Sequence, residues 1–137
     1  MKFRLMIVLA LIILFLAACT GISASSSPSP QVNVELTDFK IVSSVKKFSS
    51  NTQYHFVISN NGKVAHEFMI MPKAVPNMNS MGNMDNSALA HVEDIIPGET
   101  KTLDYTFASS TSGSHPEFAC YYPGHYEAGM KLGVMVS

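Results

Sequence analysis

Hydrophobic positions fall into three regimes along the chain. Leu5 to Ala18 is an unbroken apolar run preceded by Lys2 and Arg4. That layout is a secretory signal and not a fold element. Thr20 to Pro30 (TGISASSSPSP) has too few apolar groups to order itself and predicts a flexible linker. From Gln31 the pattern switches to a period of two. Val32, Val34 and Leu36 lead to Phe39 and Ile41, and Tyr54, Phe56 and Ile58 share one face of the run from Gln53 to Ser59. The clearest alternation sets Thr102, Asp104 and Thr106 against Leu103, Tyr105 and Phe107. Each such run predicts a strand with one buried face.

His66 to Met71 (HEFMIM) differs, being nearly continuous in apolar character and ended by Pro72. It predicts a strand buried between two sheets. Asn60-Asn61-Gly62 and Ile95-Ile96-Pro97-Gly98 supply turns, and residues 113–122 and 131–136 supply the last two strands. Pro72 to about Ser87 predicts a long irregular loop of the kind that is often functional. Only residues 86–92 offer a turn or two of helix. The sum is an all-β chain, an antiparallel sandwich of about seven to eight strands.

The chain accordingly divides into 1–18, a signal peptide, 19–30, a Ser/Pro-rich linker, and 31–137, one domain. Leu16-Ala17-Ala18-Cys19 resembles a bacterial lipobox, which makes the signal the lipoprotein type and Cys19 the acylated anchor. An ordinary cleavage site beside a coincidental Cys is the competing reading, and a retained span is disfavoured by the short run. The expected location is therefore outside the cytoplasm, tethered by lipid to the cell membrane, on the periplasmic side or outer face. Loss of residues 1–18 leaves seven Lys and no Arg against ten acidic residues, a net of 7 − 10 = −3. A nucleic-acid partner is excluded on that balance.

With Cys19 acylated, Cys120 is the one remaining thiol and has no internal disulfide partner. It is buried and inert, shared between chains, or held by a metal. Its surroundings favour the metal: Cys120-Tyr-Tyr-Pro-Gly-His125-Tyr-Glu-Ala-Gly-Met130 places thiolate, imidazole and thioether in one loop. Pro123-Gly124 and Ala128-Gly129 let that loop turn His125 and Met130 back towards the sulfur. A trigonal His2Cys set needs a second imidazole from elsewhere, and His66, at the start of a rigid strand, is the natural candidate. Thiolate with thioether favours copper over zinc, which rarely takes Met. Singly, Cys120 and Met130 read as core fillers and each His as a satisfied imidazole. The joint spacing outweighs those readings.

Residues 31–137 resemble the cupredoxins, the type 1 blue copper proteins, with a ligand loop similar to those of auracyanin and rusticyanin and longer than that of plastocyanin. The resemblance implies a Greek-key sandwich with one type 1 copper near one end, held by His66, Cys120, His125 and Met130. One departure stands out: Glu67 follows the first His where many cupredoxins have Asn or Ser. The backbone N–H of residue 67 can still donate to the Cys120 sulfur, whereas the contribution of its side chain is open.

His55, His91 and His115 have no soft partner at ligand spacing and stay outside the site. Phe118, Tyr121, Tyr122 and Tyr126 read as packing, with Tyr126 also able to shape a docking surface. Met78, Met81 and Met84 form a Met-x-x-Met-x-x-Met run near Met69, Met71 and His91. A second Cu(I) site or access route is one reading, and an adaptable surface patch or loop filling is the weightier one.

The functional expectation is a monomeric one-electron carrier, copper cycling between Cu(I) and Cu(II), serving membrane-associated redox partners. The alternative is a copper-handling lipoprotein for storage, delivery or resistance. An enzyme is not expected, because copper enzymes on such a fold need a further catalytic copper centre and usually more domains, for which 137 residues offer neither the length nor a His cluster. A copper-free adhesion sandwich leaves the ligand loop unexplained.

Overall fold

The computed structural model describes residues 28–73 and 84–137. The signal peptide, Cys19, and Met78 and Met81 lie outside the described residues. Ten strand segments follow one another: β1 (Gln31–Thr37), β2 (Lys40–Ser43), β3 (Lys47–Phe48), β4 (Gln53–Asn60), β5 (His66–Met71), β6 (Ala90–Ile95), β7 (Thr100–Thr106), β8 (Glu117–Ala119), β9 (Lys131–Gly133) and β10 (Met135–Val136). One sheet has the order β2-β1-β4-β7, the other β6-β5-β8-β9, and β3 pairs with β10. The chain passes from the first sheet to the second after β4, returns for β7 and crosses again for β8, a Greek-key path that closes a sandwich.

Alternation sets the buried faces. Val32, Val34, Leu36 and Ile41 on β1 and β2, and Tyr54, Phe56 and Ile58 on β4, meet Phe68, Ile70 and Phe118 from the second sheet. Phe48, on a strand too short to be predicted, sits among them with Tyr54 and Phe107 rings both 5.0 Å away. Two pairings are parallel, β1 with β4 and β3 with β10. A period of two reports which face is buried and not strand direction, so the pattern carried no sign of them.

Three expectations change. Phe39 does not continue the buried stripe of β1. It stands in the two-residue turn to β2, exposed, with φ 65°. The turn of helix expected over residues 86–92 lies earlier, as the single turn of α1 (Met84–Ser87), and Val92 belongs to β6. Finally, β5 is wholly buried, but only one of its faces looks at the opposite sheet. Phe68 and Ile70 enter the main core, while Met69 and Met71 pack under Ala119, Tyr121 and Tyr126 in a second cluster on the outer face.

Candidate metal centre

Three segments meet at one end of the sandwich: the start of β5, the loop from Cys120 to Met130, and the β1–β2 turn. The loop is braced by its own backbone. The N–H groups of His125, Ala128 and Gly129 donate to the carbonyls of Tyr122, Gly124 and Tyr126. The Met130 N–H donates to His125 O at 3.0 Å, and the Cys120 N–H to Met130 O at 3.1 Å, which closes the loop's two ends on each other. Gly124 and Gly129 take φ of 83° and 103°, in the region where a side chain strains the backbone, as the turns at Pro123-Gly124 and Ala128-Gly129 require.

Inside this frame His66 Nδ1 lies 3.2 Å from His125 Nδ1, and Cys120 Sγ lies 3.3 Å from the same His125 atom. All three donor atoms fall within 4.8 Å of one another, and among the described residues they are the one such group of His, Cys and acidic side chains. Cys120 and His66 are fully buried and His125 is half-buried. A metal about 2.0–2.3 Å from each of three coplanar donors needs them roughly 3.5–3.8 Å apart. The two sides that meet at His125, 3.2 and 3.3 Å, fall a few tenths of an ångström short of that spacing and the third lies within 4.8 Å, so a small spreading of the donors would seat one ion. Met130 is wholly buried beside it, with its backbone bonded to both Cys120 and His125. The structure brings His66, Cys120 and His125 together, with Met130 buried in the same core cluster as Cys120 and joined to the loop through its backbone, and a His2Cys donor set fits copper.

Burial lowers the His66 pKa, helped by the neighbouring His125 and opposed by Asp38. A neutral imidazole with a free lone pair is the form a metal needs. Burial also pushes the Cys120 thiol up to about 11, although the backbone N–H groups of Glu67 and Tyr122 donate to its sulfur and act the other way. The residue 67 N–H thus reaches the sulfur as expected. The Glu67 carboxylate, whose contribution was open, accepts the Tyr121 N–H at 2.6 Å and ties β5 to the ligand loop.

The remaining candidates separate from the site. His55 bonds Asp104 across the strands, His91 pairs with Glu93, and His115 is exposed. Tyr126 is buried, stacked 4.7 Å from Tyr121, with its hydroxyl donating to Glu117, so it packs and does not form a docking surface. Met84 lies in α1, and Met78 and Met81, the rest of the candidate Cu(I) run, fall outside the described residues. Sequence reasoning missed Asp38, Phe39, Asn60 and Gly62. Asp38 Oδ1 is 3.7 Å from His66 Nε2, and the Phe39 ring meets His125 edge-on at 5.4 Å. The one available signal was an Asp-Phe pair at a hairpin turn, where a glycine usually takes the left-handed position.

No family model matches the chain. It is similar to the copper-resistant cuproprotein CopI of Vibrio cholerae, 39% identical over 85 residues, or 58% of this chain and 48% of that protein. CopI of Rubrivivax gelatinosus is 33% identical over 86 residues, 59% of this chain and 50% of its own. CopI of Pseudomonas aeruginosa is 25% identical over 77% of this chain and 75% of its own. The chain thus spans about half the length of two of these relatives and three quarters of the third.

Among solved structures, auracyanin B superposes with a TM-score of 0.64 at 20% identity, covering 82% of this chain and 91% of that one. A dithionite-reduced auracyanin from Roseiflexus castenholzii gives 0.61 at 15%, with 82% and 99% covered. An azurin from Methylomonas gives 0.60 at 18%, with 80% and 98% covered. At these identities the likeness is one of fold, and the fold is that of the cupredoxins.

Proposed function

We propose that this chain is a type 1 copper protein in which His66, Cys120 and His125 would hold one copper and Met130 would supply a weak fourth donor, its thioether. Bound copper supplies a one-electron Cu(I)/Cu(II) couple. The observation that carries the reading is the convergence of two Nδ1 atoms and one Sγ within 4.8 Å, two of the three residues fully buried. The chain's own residues do the rest. The braced loop fixes Cys120 and His125, β5 fixes His66, and the packed sulfur and imidazoles keep bulk water away, so little moves when an electron arrives. The half-buried edge of His125 offers the route out, and the exposed residues Pro123, Gly124, Glu127 and Ala128 around it the surface for a redox partner.

Lipid attachment at Cys19, a place outside the cytoplasm and membrane-associated partners belong to the same proposal and rest on the sequence of residues 1–30. A second reading has its own support. Three relatives carry the name copper-resistant cuproprotein, which favours copper tolerance, by storage or delivery, as the service of the same centre.

Visible absorption and electron paramagnetic resonance of the purified domain with one equivalent of Cu(II) test the centre. An intense thiolate-to-copper band that Cys120→Ser abolishes is expected, and a colourless parent would sink the reading. Repeated oxidation and reduction then separates the two services. A carrier keeps its copper through the cycles, whereas a delivery protein loses Cu(I) to a chelating acceptor.

A further inference from the structure

A metal at the His66 Nδ1 lone pair leaves the proton of that imidazole on Nε2. His66 Nε2 is fully buried and has no hydrogen-bond partner among the described residues. An unsatisfied buried N–H is costly, so the polar groups around it matter. Asp38 Oδ1 faces it at 3.7 Å, too far for a direct bond and near enough for a small rotation or one water to complete it.

The surroundings are built to keep that space open. A Cβ on Gly62 would fall 2.6 Å from Asp38 Oδ1, 2.9 Å from His66 Nε2 and 3.1 Å from Asn60 Oδ1, so only glycine leaves the meeting place free. Asn60, completely buried, fixes the floor: its Oδ1 accepts the Gly62 N–H at 2.8 Å, and its Nδ2 donates to Val64 O and Ile95 O at 2.8 and 2.7 Å. The Lys63 N–H donates to Asp38 Oδ1 at 2.8 Å and aims the carboxylate. The next residue, Phe39, holds an uncommon φ of 65° and sets its ring against His125. One two-residue turn therefore touches both imidazoles.

We propose that Asp38 is a positioning residue of the metal centre, accepting the His66 Nε2–H directly or through one water and biasing the site towards Cu(II). The proposal rests on the copper reading above. A carboxylate behind a ligating imidazole fixes its tautomer and makes it more basic, which favours the more highly charged oxidation state.

Asp38→Asn is the informative variant, since it keeps an oxygen for the Lys63 N–H and removes only the charge. Its Cu(II) affinity should fall by about tenfold or more, with Cu(I) affinity less affected. Each tenfold of that difference raises the midpoint potential by about 59 mV. Gly62→Ala, whose methyl occupies the meeting place, should shift the potential in the same direction. In the metal-free parent, nitrogen NMR should find His66 as the Nε2–H tautomer, and Asp38→Ala should mix the tautomers. Unchanged potential and tautomer in the folded Asp38 variants would overturn the proposal. A parent that binds no copper removes the copper reading, and the metal-free tautomer still decides whether Asp38 orients His66.

Discussion

At the scale of single residues the centre is a problem of protons. Burial holds the Cys120 thiol at about 11 and keeps His66 below its ordinary value, so near neutral pH both sit in their uncharged forms without metal. Copper needs the thiolate. Loading at neutral pH should therefore release close to one proton per copper, from Cys120 and not from His66. Calorimetric titration in buffers of different ionisation enthalpy counts that proton. A release near zero would mean that the thiol is already ionised or is not a ligand. Glu67 poses the complementary question, because its buried carboxylate accepts the Tyr121 N–H at 2.6 Å. Glu67→Ala leaves a buried donor without this acceptor and should cost about 1–3 kcal/mol in chemical denaturation, while Glu67→Gln, which retains an oxygen, should cost less. Equal losses in the two variants would show that charge and not the acceptor matters.

At the scale of elements the ligand loop is held by five backbone hydrogen bonds within residues 120–130 and by two glycines with positive φ. Gly129, at φ 103°, lies farther from the ordinary left-handed region than Gly124 at 83°. An added Cβ at either meets nothing within 4 Å among the described residues, so backbone strain should decide the effect. Gly129→Ala should then destabilise by about 1–2 kcal/mol and by more than Gly124→Ala, as measured by thermal unfolding of the metal-free domain. The reverse order would contradict this account of the loop. What the sequence made legible follows the same division. The ligand loop is local: a thiol, an imidazole and a thioether within eleven positions are visible without a fold, and the period of two reveals the buried faces of β1 and β4 and the half-buried face of β7. Asp38, Asn60 and Gly62 reach His66 only through the pairing of β1 with β2 and the turn after β4. Their partners are set by tertiary approach, and the local signals that mark the turns do not name His66 as what the turns approach. Phe39 was misplaced for a related reason, since an apolar residue at the right spacing looks buried until the turn is known to fall there.

At the scale of the whole molecule the two perturbed groups couple stability to pH in opposite directions. The unfolded chain takes up a proton on His66 near 6.5, whereas the native state resists it. As pH falls through 6.5 the unfolded state binds more protons, and the metal-free domain loses stability. The thiol acts at the other end. Unfolded Cys120 ionises near 9.0 and native Cys120 near 11, so stability falls as pH rises past 9. Between those limits neither group opposes folding. Denaturation measured from about pH 5 to pH 10 should trace a dome for the metal-free domain, and Cys120→Ser should lose the alkaline limb between about 9 and 10. Tyr121 and Tyr122, both raised by burial, enter only above their ordinary value of 10.0. Copper should reshape the curve, because the ligand forms, neutral His66 and thiolate Cys120, are those the metal stabilises in the native state. The alkaline limb should then disappear and the acid limb steepen, as protons compete with copper for both donors. A copper-loaded domain whose pH profile matches that of the metal-free one would mean that these side chains do not bind the ion.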